Sequence, residues 1–223
     1  MIMSAIMGFA SALVNCIPMK VGDINNDGYN AVQLGRDKDA LKALWVQLKM
    51  NGALAEGIGI REMPEEWFES IDGKNDNPMI TSIKVFYCNR LMEMHKFEQT
   101  KEEIKKVLES NMVLVGVYRY LLICDYIYCE LIDGNIIEAE EFYTKDLQKF
   151  MKSMKKFPAI LRTKYTYELL HNKDSKQAEK LRTLFNIMSE KYPYTSDIEA
   201  ENELMDIAKS IYDGVMDNKI NKK

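Results

Sequence analysis

The sequence of 223 residues is poor in several residue types that particular protein classes require. Its 11 glycines and 5 prolines argue against collagen-like, low-complexity and loop-rich β structures. With only two histidines, a site that needs two or three imidazoles can hardly be assembled within this chain. The formal net charge of −4 argues against a nucleic-acid-binding protein, which normally carries a basic patch.

The four cysteines include no CxxC pair of the kind that binds metals. Cys124 and Cys129 lie five residues apart, a spacing that suits neither one face of a helix nor a zinc knuckle. We therefore expect four reduced thiols in apolar surroundings. Such thiols are typical of a protein in a reducing compartment.

Charge is absent from the amino-terminal segment, since residues 1–19 include no Asp, Glu, Lys or Arg. A helix of about 20 apolar residues crosses a bilayer, so this run predicts a transmembrane helix. Gly8 and Ala12 would allow close packing against another helix. A buried helix of a soluble domain is the alternative interpretation. A cleaved signal peptide fits less well, because no positive residue precedes the apolar run.

A turn motif follows the apolar segment. Pro18 is expected to disrupt the helix, and Asn15 to help satisfy the backbone groups that it frees. Asn26-Asp27-Gly28 is a turn signal that would present Asp27 near the end of the segment. A carboxylate beside a membrane is costly unless a cation or metal accompanies it, so Asp27 is a candidate ligand of an incomplete site.

This combination of Asn-x-x-Pro in an apolar helix and a following Asp-Gly pair resembles the second metal motif of the site-2 protease family. Members of that family are intramembrane zinc metalloproteases, and the resemblance covers roughly residues 1–50. It implies that Asp27 is a zinc ligand. It also implies that Asn15 and Pro18 line the substrate cleft near the metal.

The sequence departs from the family at the other metal motif, His-Glu-x-x-His. Its histidines, His95 and His171, are far apart and neither belongs to a Glu-x-x-His pattern. We therefore expect the carboxyl-terminal portion of a split or truncated protease, or a relative that has lost catalysis. Zinc is expected only if a partner chain supplies the missing histidines.

The same residues also resemble an EF-hand-like calcium loop, as in dockerin modules, because Asp23-x-Asn25-x-Asp27-Gly28 fits its opening. The loop would span 23–34. However, Leu34 occupies position 12, where an acidic ligand is expected, and Asn30 occupies position 8, where an apolar residue is usual. A plain turn rich in Asn and Asp is a third interpretation.

The remainder of the chain predicts an all-α fold. Apolar periodicity predicts a helix over 37–56 and seven more between 78 and 216, one of which covers 136–154. Asp125 and Glu130 interrupt the most apolar of these, which favours a buried core helix over a second membrane span. A Gly/Asn/Asp-rich stretch at 71–78 indicates a linker. The predicted organisation has four parts: 1–35 with the apolar helix and motif, 36–75 with an amphipathic helix and linker, 76–218 with stacked helical hairpins, and the tail 219–223.

A small residue recurs within the predicted hairpins. Thr100, Ala139 and Ala178 occupy equivalent positions 39 residues apart. A small residue at such a position lets paired helices approach closely, as in the tetratricopeptide-type repeats that these segments resemble. Repeats of that family are usually about 34 residues long, so these would be lengthened relatives. The resemblance implies binding of a protein or peptide.

Two functional hypotheses follow from the sequence. The first is the carboxyl-terminal portion, or an inactive relative, of a site-2-protease-like membrane metalloprotease with a helical regulatory domain. The second is a non-catalytic, membrane-associated helical-repeat adaptor that binds a protein partner and no nucleic acid. Lys20, Arg36 and Lys38 follow the apolar segment and predict a cytoplasmic helical domain. In either case the chain by itself is expected to be inactive as a protease.

Overall fold

The computed structural model describes residues 2–21, 24–69 and 76–220. Helices make up 79% of it, which confirms the predicted all-α class. Two strands of two residues each pair antiparallel between the first two helices. The elements are, in chain order, α1 (Ile2–Cys16), β1 (Lys20–Val21), β2 (Ile24–Asn25), α2 (Asp27–Arg36), α3 (Lys38–Ala55), short 3₁₀ turns (Ile60–Glu62 and Glu65–Trp67), α4 (Pro78–Glu93), α5 (Phe97–Glu109), α6 (Gly116–Ile132), α7 (Ile136–Phe142), α8 (Lys145–Ser153), α9 (Pro158–Thr166) with a π-helical extension (Tyr167–His171), α10 (Ser175–Ser189) and α11 (Thr195–Ile220).

The apolar helix α1 is shorter than predicted. It ends at Cys16, two residues before Pro18, because a proline disfavours the helical conformation of the residue that precedes it. At 1.5 Å per residue, 15 residues span about 22 Å, less than the hydrocarbon core of about 30 Å. Among the described residues, no helix is both long and apolar enough to cross a membrane. Of the apolar run over 1–19, for which a transmembrane helix was predicted, residues 2–16 form α1.

Three tight turns between paired helices share one backbone feature. His95, Gly134 and Lys173 adopt the left-handed conformation, with φ of 56°, 83° and 57°. They are spaced 39 residues apart, the interval predicted from the small residues. In the first two turns the following N–H returns to a carbonyl five residues earlier, from Lys96 to Leu91 and from Asn135 to Glu130, each at 2.9 Å. This bonding ends a helix and reverses the chain within a few residues.

The recurring small residues are fully buried. Thr100, Ala139 and Ala178 lie on α5, α7 and α10, the second helices of the pairs α4–α5, α6–α7 and α9–α10. Each is at most 1% exposed. The absence of a large side chain at these points permits the close approach within each pair.

One predicted helix differs from the structure. The helix predicted over 136–154 is divided at Tyr143 into α7 and α8, and Thr144 starts the second by accepting the Leu147 N–H on its hydroxyl. The predicted linker falls largely at residues 70–75, outside the described residues. On either side of it, Val46 of α3 and Ile83 of α4 contribute to one apolar cluster.

The largest cluster of buried apolar residues lies between α6, α9, α10 and α11. A second joins α3 to the 3₁₀ turns and α4, and a third joins α4, α5 and α6. Helix α6 is therefore central. Its residues from Cys124 to Leu131 are all buried, including the charged Asp125 and Glu130, as predicted for a core helix.

Candidate functional site: an acidic cavity around Arg162

Arg162 of α9 is the largest fully buried side chain among the described residues, with 1% of its surface exposed. Its Nη2 donates to Oδ1 of Asp125 on α6, and its Nε donates to Oε2 of Glu201 on α11 at 2.7 Å. The guanidinium Cζ also lies 4.9 Å from the ring centroid of Tyr128. One cation thus connects three helices through two ion pairs and an aromatic contact.

The hydrogen bonding of Arg162 is incomplete. Its Nη1 is buried and finds no acceptor among the described residues. A buried donor without an acceptor costs about 1–3 kcal/mol, and more when it is charged. Unsatisfied atoms of this kind are rare in native proteins and often mark a place where a water, an ion or a ligand binds.

A cavity of about 220 Å³ adjoins this network, and Arg162 lines it. Its walls come from α3, α4, α6, α9 and α11, so most of the core elements contribute to it. Four acidic side chains line it with Arg162: Glu93, Asp125, Asp197 and Glu201. The cavity therefore combines a donor that lacks an acceptor with an excess of carboxylates.

Three of these carboxyl groups have strongly raised pKa values. Burial raises the pKa of Asp125 to about 6, although the charge of the Arg162 guanidinium opposes the shift. Burial raises the pKa of Glu93 to about 7, although the Arg61 backbone N–H donates to it at 3.0 Å and opposes the shift. Burial and the nearby charge of Glu201 raise the pKa of Asp197 to about 6. Burial therefore favours the neutral form of these carboxyl groups.

A second cavity, of about 510 Å³, lies beside α4 and α5. It is lined by charges of both signs, including Lys84, Arg90, Lys106, Glu65 and Glu103. Four basic and three acidic side chains line this cavity, so the basic groups exceed the acidic ones by only one.

The residues singled out by the sequence lie elsewhere, at the junction of α1 and α2. Asn15, Pro18 and Asp27 are all exposed. The carbonyls at the end of α1 are satisfied by Asn26 and not, as predicted, by Asn15: Asn26 Nδ2 donates to the carbonyls of Val14 at 2.7 Å and Ile17 at 2.6 Å.

Asn26 and Gly28 give this motif a local structural role. Asn26 Oδ1 accepts the N–H groups of Met19 and Tyr29, each at 2.9 Å, and so caps α2. A Cβ on Gly28 would lie 2.4 Å from the Cys16 carbonyl oxygen, so only glycine permits this close approach. Asp27 is the first residue of α2, where the helix dipole favours a carboxylate.

The zinc and calcium hypotheses both require a set of metal ligands around Asp27. In the described part of the chain, no three His, Cys, Asp or Glu side chains are grouped so as to hold a metal ion. Asp23 of the predicted calcium loop lies outside the described residues. The loop conformation predicted to continue to Leu34 is replaced from Asp27 onward by the helix α2.

The Arg162 cavity was not predicted from the sequence. The one available signal was Asp125, a charge within an apolar helix, which indicated burial but not a partner. The partners Arg162 and Glu201 are 37 and 76 positions further along the chain.

No protein-family model matches the sequence, and no curated protein or solved structure matches it. What the structure defines is an all-α protein whose central ion network adjoins an acidic cavity.

We expect Arg162→Met to destabilise the protein by about 3–5 kcal/mol, because it leaves Asp125 and Glu201 without their cation. Urea unfolding followed by circular dichroism measures this change. The matched control is Lys149→Met, which removes an exposed ion pair with Asp146 (3.0 Å) and should cost less than about 1 kcal/mol. Equal effects of the two substitutions would contradict a structural role for the buried network.

We further expect stability to fall as the pH rises from 5 to 8. The pKa of Glu93, about 7 in the folded protein, lies above the unfolded value of about 4.3, so the native state binds the extra proton below pH 7. This stabilising contribution is complete below the unfolded pKa and is lost as the pH rises through the folded pKa.

Glu93→Gln should flatten this dependence, whereas Glu199→Gln, on the exposed side of α11, should retain the wild-type slope. The measurement is the melting temperature at several pH values. A Glu93→Gln slope equal to that of the wild type would contradict the assignment.

Proposed function

We propose that the protein is a non-catalytic, membrane-associated helical adaptor whose hairpins bind a protein partner. The observation that carries the membrane part is the exposure of α1. This helix carries no charged residue, and Ile6, Met7 and Phe9 are 62%, 70% and 68% exposed. Soluble proteins rarely leave such a contiguous apolar surface in water, and it is typical of surfaces that contact lipid or protein.

Helix α3 adds a second surface of the same character. Leu41, Trp45 and Leu48 form an exposed stripe at i, i+4 and i+7, opposite its buried face. The exposed residues Lys38, Lys42 and Lys49 follow the stripe along one side. Tryptophan favours the interfacial region of a bilayer, and each lysine near an anionic surface contributes about 1 kcal/mol. These features support the proposal that α1 and α3 contact a lipid surface with anionic headgroups.

The adaptor part rests on the hairpins. The left-handed turns and buried small residues recur at 39-residue spacing, which supports a lengthened tetratricopeptide-like array. Such arrays bind protein segments along one face. All four cysteines are free thiols, three of them buried as expected and Cys16 exposed. Lys20, Arg36 and Lys38 follow the apolar helix. Both features support a cytoplasmic position for the helical domain.

The second candidate is a carboxyl-terminal portion or inactive relative of a site-2-protease-like enzyme. One observation favours it: Asn26 holds the start of α2 against the end of α1, so Asp27 lies beside the apolar helix. In that function Asp27 would supply one zinc ligand, and a partner chain with His-Glu-x-x-His would supply the other ligands and the general base.

We expect the full chain to float with phosphatidylcholine vesicles that contain about one third phosphatidylglycerol. Phe9→Asp should reduce the bound fraction at least about tenfold, because it places a charge where an aromatic side chain would be buried in lipid. The matched control is Ile137→Asp, which alters an equally exposed apolar residue (77%) on α7 and should not affect flotation.

Sedimentation velocity in the absence of lipid tests the alternative that the exposed apolar surface of α1 contacts a second copy of the chain. If Phe9→Asp abolishes self-association and leaves flotation unchanged, α1 contacts a second copy of the chain and the membrane proposal is wrong.

We expect the purified chain alone to carry no stoichiometric zinc, because Asp27 provides one ligand and a zinc site needs at least three from protein. Elemental analysis of wild type and Asp27→Ala tests this, with Asp146→Ala, an exposed aspartate in the first turn of α8, as the control. Stoichiometric zinc that is lost only in Asp27→Ala would show a complete site and would favour the protease hypothesis over the adaptor.

A further inference from the structure

The cavity around Arg162 has more negative than positive groups. Asp125 and Glu201 share the single guanidinium, whereas Glu93 and Asp197 line the same cavity without an ion pair to it. Each of these side chains lies on a helix that is held by the core, so the carboxylates cannot move far apart.

Two arginines of neighbouring elements form contacts outside the cavity. Arg61 forms a two-point ion pair with Glu203, at 2.7 and 3.1 Å. Arg90 donates to the carbonyls of Ile60 and Met63, at 3.2 and 2.5 Å. These arginines hold the 3₁₀ turn against α4 and α11, and neither of them lines the cavity.

An added cation would compensate this charge. Uncompensated carboxylates in a buried site cost free energy and shift toward the neutral form, as the raised pKa values of Glu93 and Asp197 indicate. A bound ammonium or guanidinium group would stabilise their ionised forms through charge-assisted hydrogen bonds.

The rest of the lining fits an apolar stem. A volume of about 220 Å³ is below the 300 Å³ or so of sites for drug-sized ligands, so it suits a single side chain or a small molecule. Tyr118 and Tyr192 offer aromatic rings that favour cations. The apolar wall includes Leu54, Val85, Phe86, Leu121, Phe157 and Leu204.

The unpaired Nη1 of Arg162 specifies a second feature of the ligand. This buried donor requires an acceptor, and none of the described residues provides one. A carbonyl or carboxylate oxygen near the cation would satisfy it. A peptide backbone has such an oxygen next to every side chain.

We infer that this cavity binds a primary ammonium or guanidinium group on an apolar stem. The carboxylates of Glu93 and Asp197 hold the cation, and Arg162 Nη1 donates to an oxygen beside the stem. A lysine or arginine side chain of a partner segment and a small free amine share this chemistry. The inference deepens the adaptor part of the proposed function, because it names what the partner presents, and it does not depend on membrane binding.

Isothermal titration calorimetry on the full chain without lipid tests the inference. The probes are lysine capped as its Nα-acetyl N-methylamide, the norleucine compound capped in the same way, and n-butylamine. We expect the lysine compound to bind at least about tenfold more tightly than its norleucine counterpart, which lacks the ammonium group. Tighter binding of capped lysine than of n-butylamine supports a peptide ligand whose oxygen accepts from Arg162 Nη1. Equal binding would refute that contact and would favour a free amine held by the carboxylates.

Glu93→Gln and Asp197→Asn should each weaken binding of capped lysine about tenfold, and Glu199→Gln should leave it unchanged. Thermal melting checks that each variant is folded. The inference is overturned if the norleucine compound binds as well as lysine, or if Glu199→Gln weakens binding as much as Glu93→Gln. Absence of binding by either cation at about 10 mM, a concentration at which even weak sites fill, would also overturn it. Loss of vesicle flotation with lysine binding retained would refute only the membrane part of the proposed function.

Discussion

The buried guanidinium of Arg162 is the interaction on which the arrangement of the central helices depends. Removing a charge from water costs several kcal/mol, so Arg162 is stable in the core only while Asp125 and Glu201 remain in contact with it. Asp125 belongs to α6 and Glu201 to α11. An apolar interface tolerates small shifts of one helix along another, but this network does not, and it therefore selects a single packing of α6, α9 and α11.

The cavity adjoins the same side chain. Two of the three guanidinium nitrogens are engaged by flanking helices, and the third has no acceptor among the described residues. Glu93 and Asp197 line the adjoining space. A structural ion network and a candidate ligand site thus share one side chain. Substitution of Arg162 would disturb both the ion network and the candidate ligand site. Substitution of Glu93 or Asp197 tests ligand binding without removing the central cation.

The junction of α1 and α2 illustrates how a motif can serve two interpretations. Asn26 satisfies carbonyls that Pro18 leaves free, and Gly28 allows α2 to approach Cys16 closely. Any short connection between two helices at a proline requires that free carbonyls find donors and that the two backbones can approach closely. Asp27 is exposed at the start of α2, where the helix dipole favours its carboxylate.

The sequence by itself determined the all-α class, most helix positions and the 39-residue spacing, because these depend on local signals. Pro78 and Pro158 begin helices, Asp174 caps one, and small residues mark where helices pair. It also indicated where α1 would end, because Pro18 was expected to disrupt the helix and α1 ends two residues before it. Only the tertiary structure decided the site. Asp125, Arg162 and Glu201 belong to separate helices, and only the packing of those helices brings their charges together.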